Sequence, residues 1–311
     1  MFKRMTSITL AALVAASLAV PVSAQSSDSG LKLSWDGASS YRDRCASGSS
    51  DRDDDASARS GSLQVVGLTV DNRLICFNEY SPSDARSINV VSNLQGGDTY
   101  LIGIDFRVQD RLLYGVGNFG GVYLIDTGTA VATLVNRLTV ALDDSPSFGV
   151  DFNPAADRLR ITSSKGQNLR HNVNAGGVTI ADAALNYTPG TTALGIVGSA
   201  YTNNDLSAST ATTLYALDST LDQIALQSPP NNGTLAATGK LTVDATMVAG
   251  FDIYSTIRNT VTVDVQALAS IVTADGSNAL YSIKLPTGKA TRRGGFGGFN
   301  VTDIAIPLNQ L

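Results

Sequence analysis

Five short apolar runs recur along the chain in one pattern. They read Gly103-Ile104-Asp105-Phe106, Gly149-Val150-Asp151-Phe152, Gly198-Ser199-Ala200-Tyr201, Gly250-Phe251-Asp252-Ile253 and Val301-Thr302-Asp303-Ile304. Self-similarity at a period of roughly 40–50 residues constrains a fold more than any single residue, because each copy is one supersecondary unit that must stack on the next. Three further strand-like segments follow most of these runs. Second strands are expected at residues 112–116, 158–162, 213–217 and 261–265. Third strands are expected at 122–126, 168–173, 223–227 and 279–285, and fourth strands at 131–135, 178–181, 234–239 and 289–293. Turns such as Asp126-Thr127-Gly128 and Asn174-Ala175-Gly176-Gly177 join third to fourth, with residues that tolerate positive φ.

The first unit has strands at residues 65–70, 74–78 and 88–94, with a turn at Asp71-Asn72, but lacks the leading run. Residues 301–306 at the far end of the chain supply it. A borrowed strand closes a ring and leaves no inner sheet edge open. The expectation is an all-β, five-bladed β-propeller of four-stranded blades, closed by the C-terminal strand. Six blades remain the alternative if two short units are merged near residues 202–212, and a β-sandwich is the competing architecture. Residues 63–307 form the propeller domain and 308–311 a tail.

The first residues read as a targeting segment. Lys3 and Arg4 precede an apolar run over residues 8–20, too short for a comfortable membrane span, and Val22-Ser23-Ala24 is a small-x-small cleavage site before Gln25. A signal peptide over residues 1–24 implies a mature protein exported to the periplasm or the medium, with no membrane span. Its removal takes two positive charges and no negative ones, moving the formal net charge from −5 to −7. An acidic chain lacks the basic face that nucleic acid requires. Residues 25–62 are rich in Ser and Asp. Asp51, Asp53, Asp54 and Asp55 lack the EF-hand order, so a solvated linker is expected there. The two cysteines, Cys45 and Cys76, read in an oxidising compartment as a disulfide, which would be worth roughly 3 kcal/mol, or as two unpaired thiols.

Side chains alternate along a strand. Phe106, Phe152, Tyr201, Ile253 and Ile304 therefore share one face and should pack between blades. Asp105, Asp151, Ala200, Asp252 and Asp303 share the other, so four of five blades place a carboxylate on the strand nearest the axis. Such charges need compensation at low dielectric. One reading has each Asp accept hydrogen bonds that lock blade to blade. A second has Asp105, Asp151, Asp252 and Asp303 hold a hard cation such as calcium, which takes oxygen ligands. A third makes them catalytic. Two residues further on, Arg107, Asn153, Thr202, Tyr254 and Ala305 vary in chemistry within a repeated frame. Arg107, Asn153, Thr202 and Tyr254 are the candidate ligand contacts at one end of a central channel.

His171 is the only histidine, which removes multi-histidine metal sites and reads as a packed or exposed strand residue. Arg158, Arg160 and Arg170 could clamp an anion or tie to Asp151, Asp157 and Asp182. Gly294-Gly295-Phe296-Gly297-Gly298 precedes a strand and lacks the P-loop lysine, so it is a connection.

Several longer phrases carry a resemblance. Gly67-Leu68-Thr69 with Asp71-Asn72-Arg73-Leu74, Phe148-Gly149-Val150-Asp151-Phe152-Asn153-Pro154 and Gln227-Ser228-Pro229-Pro230-Asn231-Asn232-Gly233-Thr234 resemble an exported bacterial family, domain-of-unknown-function family 4394. The similarity covers about residues 63–307 and is blurred at Leu285-Pro286-Thr287-Gly288. It implies a propeller-like domain with no established activity and no site residues to transfer. The leading functional expectation is an exported, non-enzymatic propeller with a structural calcium, binding a small molecule or an envelope or extracellular protein. The alternative is a metal-dependent hydrolase or lactonase-like enzyme using the axial carboxylates.

Overall fold

The strands of the computed structural model, which describes residues 62–310 apart from 204, 207–209 and 260, form five four-stranded antiparallel sheets and one small hairpin. Blade 1 contains β1 (Gln64–Thr69), β2 (Arg73–Asn78) and β3 (Ser81–Val90). Blade 2 is β4 (Leu101–Phe106), β5 (Leu113–Gly117), β6 (Gly121–Ile125) and β7 (Ala132–Arg137). Blade 3 is β8 (Phe148–Asn153), β9 (Arg158–Ser163), β10 (Asn168–His171) and β11 (Thr179–Ala181). The hairpin β12 (Asn186–Thr188) and β13 (Thr191–Thr192) follows. Blade 4 is β14 (Ile196–Tyr201), β15 (Leu214–Asp218), β16 (Gln223–Gln227) and β17 (Leu235–Lys240). Blade 5 is β18 (Ala245–Arg258), β19 (Val261–Thr273), β20 (Asn278–Ile283) and β21 (Ala290–Gly295). The last strand, β22 (Val301–Ala305), returns to blade 1.

The closure is the expected one. β22 lies antiparallel to β1, with Val66 opposite Ala305, Gly67 opposite Ile304 and Leu68 opposite Asp303. The inner strands β4, β8, β14, β18 and β22 touch in that order, and β22 touches β4 to complete the ring. The protein is a five-bladed β-propeller, so the six-bladed count does not hold. The hairpin β12–β13 is the extra piece, a two-stranded sheet separate from the five blades.

Two strand positions differ from expectation. β3 starts directly after the Glu79-Tyr80 turn rather than at residue 88. Its sequence, Ser-Pro-Ser-Asp-Ala-Arg-Ser, has no apolar alternation because it is an outer strand with mostly exposed side chains. Edge strands tolerate Pro and charge. In blade 5, β19 does not stop at residue 265. It runs for 13 residues beside the 14 residues of β18, and only its second half, from Ala267 on, pairs with β20.

Packing lies between blades. Phe106 and Ile104 join Leu68, Leu74 and Val66 of blade 1. Phe152 joins Tyr114 and Val116 of blade 2, with the Tyr114 and Phe152 rings edge-to-face and their centroids 5.3 Å apart. Ile253 joins blade 4, and Ile304 joins Tyr254 and Leu280 of blade 5. Truncating a fully buried Ile such as Ile304 to Ala costs about 2–5 kcal/mol. The inner strands approach so closely that the leading glycines are required. A methyl on Gly149 would run into the Ser199 nitrogen, and one on Gly250 into Asp303 Cα.

Residues 308–310 are bound to the body. Gln310 donates its backbone N–H to Tyr254 Oη at 2.7 Å and its side-chain amide to the Gln64 carbonyl at 2.9 Å. Cys76 is buried in β2. Cys45, the expected signal peptide and the Asp51–Asp55 stretch lie outside the described residues. Among the described residues no helix is long and apolar enough to cross a membrane.

Candidate functional site

The aspartate column is a set of rivets between neighbouring inner strands. Asp303 Oδ2 accepts the Ile104 N–H at 2.8 Å, Asp105 Oδ2 accepts Phe152 N–H at 2.6 Å, and Asp151 Oδ1 accepts Tyr201 N–H at 3.1 Å. Asp252 Oδ2 accepts Ile306 N–H at 2.6 Å. Each carboxylate thus reaches from its own blade to the next one round the ring. Asp105 and Asp252 use their second oxygens on the following N–H of their own strands, Phe106 at 2.7 Å and Ile253 at 2.5 Å. Blade 4 has Ala200 in this position. No carboxylate reaches from there to blade 5, and the contact between the two runs the other way, with the Asn203 N–H donating to Ser255 Oγ of blade 5 at 2.8 Å.

Three of the four acids also meet one another. Asp105, Asp151 and Asp252 each present an oxygen within 4.8 Å of the other two. Asp303 is spent on Ile104 and stands outside that trio. All four are less than 8% exposed, and no ion pair among the described residues involves them. Burial raises Asp105 and Asp151 well above the ordinary carboxylate range, and the negative neighbours push further in the same direction. Burial also raises Asp303 well above it and Asp252 to about 6. Among the described residues nothing donates to Asp151 Oδ2. The three acids border a cavity of about 10 Å³, which Phe106, Phe152, Tyr201 and Ile306 also line. That volume takes one water or one ion. Three carboxylate oxygens within 4.8 Å of one another are the hard-donor grouping that calcium takes, and small side-chain rotations bring them to its 2.3–2.6 Å bonding range.

The four expected ligand contacts are not brought together. Arg107 points to Asp157, 2.5 and 2.7 Å away, to Asp110 at 2.9 Å and to Asn174 at 2.9 Å, tying blade 2 to blade 3. Asn153 Oδ1 accepts the N–H groups of Ala155 and Ala156, both at 3.0 Å, in its own turn. Tyr254 is buried in the core between blades 5 and 1. Thr202 alone borders a large cleft.

That cleft, about 880 Å³, lies beside the long β18–β19 ribbon. Its walls include Tyr215 of blade 4, Thr262 to Gln266 of β19, Lys284, Lys289 and Arg293. Arg293 lies over the Tyr80 ring at 4.5 Å and 3.8 Å from Glu79. Glu79 is fully buried, accepts the Leu63 N–H at 3.1 Å, and is raised by burial. The pattern of residues 261–265 alone did not separate this ribbon from an ordinary blade strand, so the cleft had no signal in the sequence beyond the exposed alternation of Val261, Val263 and Val265.

The remaining candidates are structural ties. Arg160 is 3% exposed and bonds Asp182 at 2.7 Å, Asn168 at 2.8 Å and Asn231 at 2.9 Å, while Arg170 holds Asp182 from the other side at 3.0 Å. Arg158 caps the carbonyls of Ala156 and Asp157. His171 is fully buried between Thr179 Oγ1 and Asn136 Oδ1, each at 2.9 Å, and burial lowers it to about 4.

The family model described as Domain of unknown function (DUF4394) matches residues 73–305, most of the propeller. The chain belongs to this family. Its DUF4394 propeller is similar to an auxiliary nutrient binding protein from Bacteroides ovatus ATCC 8483, at 14% identity and a TM-score of 0.40 over 70% of this chain and 58% of that one. It is also similar to a structural genomics protein of unknown function from Bacteroides thetaiotaomicron VPI-5482, at 14% identity and a TM-score of 0.43 over 84% of this chain and 70% of that one. A putative 6-phosphogluconolactonase from Bacteroides uniformis ATCC 8492 is a third, at 11% identity and a TM-score of 0.37 over 74% of this chain and 81% of that one. The DUF4394 chain spans 58% and 46% of the lengths of the two auxiliary nutrient binding proteins it resembles. Likeness at this level transfers no ligand and no activity. No curated protein matches the chain.

Proposed function

We propose that this DUF4394 protein is an exported, non-enzymatic binding propeller. Its hub holds a structural cation, calcium by donor type, and its blade-5 cleft takes the ligand or partner. The observation that carries this reading is the contrast in volume between the two places: about 10 Å³ at the carboxylate hub and about 880 Å³ at the cleft. An oxygen trio with room for one ion suits a hard cation that clamps three blades. A hub-based hydrolase would need a substrate beside the ion, and the hub leaves no space for one. The cleft falls within the size range of ligand sites and mixes apolar side chains with a few convergent polar ones. Export rests on Lys3, Arg4, the apolar residues 8–20 and Val22-Ser23-Ala24. In an oxidising compartment a Cys45–Cys76 bridge would anchor the N-terminal segment to blade 1.

The test is elemental analysis of the mature protein purified without chelator, with thermal unfolding in calcium and in EGTA. Near-stoichiometric calcium and a Tm several degrees higher in calcium are expected. A metal-free protein whose Tm ignores both additives would overturn the cation assignment.

A further inference from the structure

Blade 5 has an incomplete sheet. β20 ends at Ile283, opposite Ala267, so residues 261–266 of β19 are paired on one side only, by β18. Among the described residues no other strand pairs with this stretch, and no backbone hydrogen bond outside the ribbon uses it. The cleft follows that edge. Thr262, Val263, Asp264, Val265 and Gln266 line it in unbroken succession. Because side chains alternate between faces, consecutive residues all border one cleft only when the cleft runs along the backbone edge itself. Six residues of strand present about 20 Å of edge.

Folded proteins usually blunt such edges with Lys, Pro, bulges or a covering loop. Here the edge carries Val261, Val263 and Val265, which are 60%, 54% and 37% exposed, and one charge, Asp264. The opposing wall is basic. Lys284 and Lys289 stand exposed at the β20–β21 turn with no ion pair among the described residues, and Arg293 lies further along. Two residues of the cleft wall, Arg293 and Thr262, each keep one buried polar atom, Nε and Oγ1, without a hydrogen-bond partner among the described residues.

We propose that an extended acidic segment of a partner protein adds to residues 261–266 as a further strand. This names the partner class for the cleft and rests on reading the cleft as the binding site. Backbone hydrogen bonds along the edge supply the affinity, alternate apolar side chains meet the exposed valines, and acidic ones meet Lys284, Lys289 and Arg293.

The probe is a fluorescein-labelled synthetic peptide of five Glu-Val repeats, titrated with the mature protein and read by fluorescence anisotropy. The comparators are five Lys-Val repeats and an oligogalacturonate. Expected results are saturable binding at least tenfold tighter than that of the basic peptide, weakening with salt, and slowed amide exchange confined to residues 261–266 and the facing turn. The double variant Lys284→Glu, Lys289→Glu, two exposed side chains whose replacement leaves circular dichroism unchanged, should bind about tenfold more weakly. Binding that leaves 261–266 unprotected, or that ignores the charge reversal, overturns the proposal. Exchange protection present without peptide and lost on dilution assigns the edge to a second copy of the chain and also overturns it. Oligogalacturonate binding without peptide binding ends the strand-addition model while the cleft stays a binding site. Binding of neither counts against both readings.

Discussion

Replacing Asp151 by Asn should make the chelated protein more stable, even though a buried, hydrogen-bonded side chain is being changed. Asp151 accepts one backbone donor, Tyr201 N–H, through Oδ1, and an Asn oxygen can keep that bond. Its other oxygen faces Asp105 and Asp252, where an Asn amide would donate instead of repel. Two ionised carboxylates 4.8 Å apart repel by about 3.5 kcal/mol at an effective dielectric constant of 20. Asp151 faces two such partners, so the full repulsion would be about 7 kcal/mol. The metal-free hub has a cheaper escape, which is to bind a proton. For a carboxyl of ordinary pKa this costs about 4 kcal/mol at pH 7, and that sets the ceiling. In EGTA at pH 7, Asp151→Asn should therefore gain about 2–4 kcal/mol by urea unfolding. The gain should fade towards pH 4, where the wild-type acids are protonated anyway. In millimolar calcium the order should reverse, because only the wild type has the oxygen trio that binds the ion. A loss of more than 1 kcal/mol in EGTA at pH 7 would show that Asp151 is ionised and well compensated, and the account of the hub would be wrong.

Other outcomes follow from the same geometry. Asp252 sits at about 6, above its unfolded value near 3.9, so its contribution to stability is full below about pH 4 and is lost as pH rises to about 6, worth roughly 3 kcal/mol in the metal-free protein. His171 works in the opposite direction: at about 4 against 6.5 unfolded, its contribution is full above pH 6.5 and is lost as pH falls towards 4. As the only histidine it gives a single imidazole NMR signal, which should titrate near pH 4, and a midpoint between 6 and 7 would contradict its burial. Arg160→Ala strands the buried Asp182 with one half-exposed partner and should cost about 3–5 kcal/mol in urea unfolding. Asp303→Ala leaves the Ile104 N–H without its acceptor and should cost about 1–3 kcal/mol, with no effect on calcium binding because Asp303 lies outside the trio.

What the sequence made legible was whatever the repeat copied. The leading glycines, the apolar residues between blades and the column of acids recur because every inner strand faces the same neighbours at the same spacing. The borrowed strand was readable as a gap at residue 63 and a surplus run at residue 301. The partners of the acids were not readable, because each donor belongs to the next blade. No spacing along one chain says that Phe152 N–H will meet Asp105. Nor could the column separate Asp303 from the trio, since that depends on how each strand is set relative to the axis. The row formed by Arg107, Asn153, Thr202 and Tyr254 looked equivalent because the strands there are equivalent in number. Their side chains take different partners: Arg107 reaches across to Asp157 of blade 3, while Asn153 turns back on its own turn. The ribbon of blade 5 was hidden by its own regularity, because Val261, Val263 and Val265 alternate like any half-buried strand whether or not a neighbour covers them.

The most direct test of the hub is a crystal of the mature protein grown in calcium, with anomalous differences collected at long wavelength. The account predicts one peak bordered by Asp105, Asp151 and Asp252, with carboxylate oxygens at 2.3–2.6 Å. A flat map there, with the three acids turned away from one another, would contradict it.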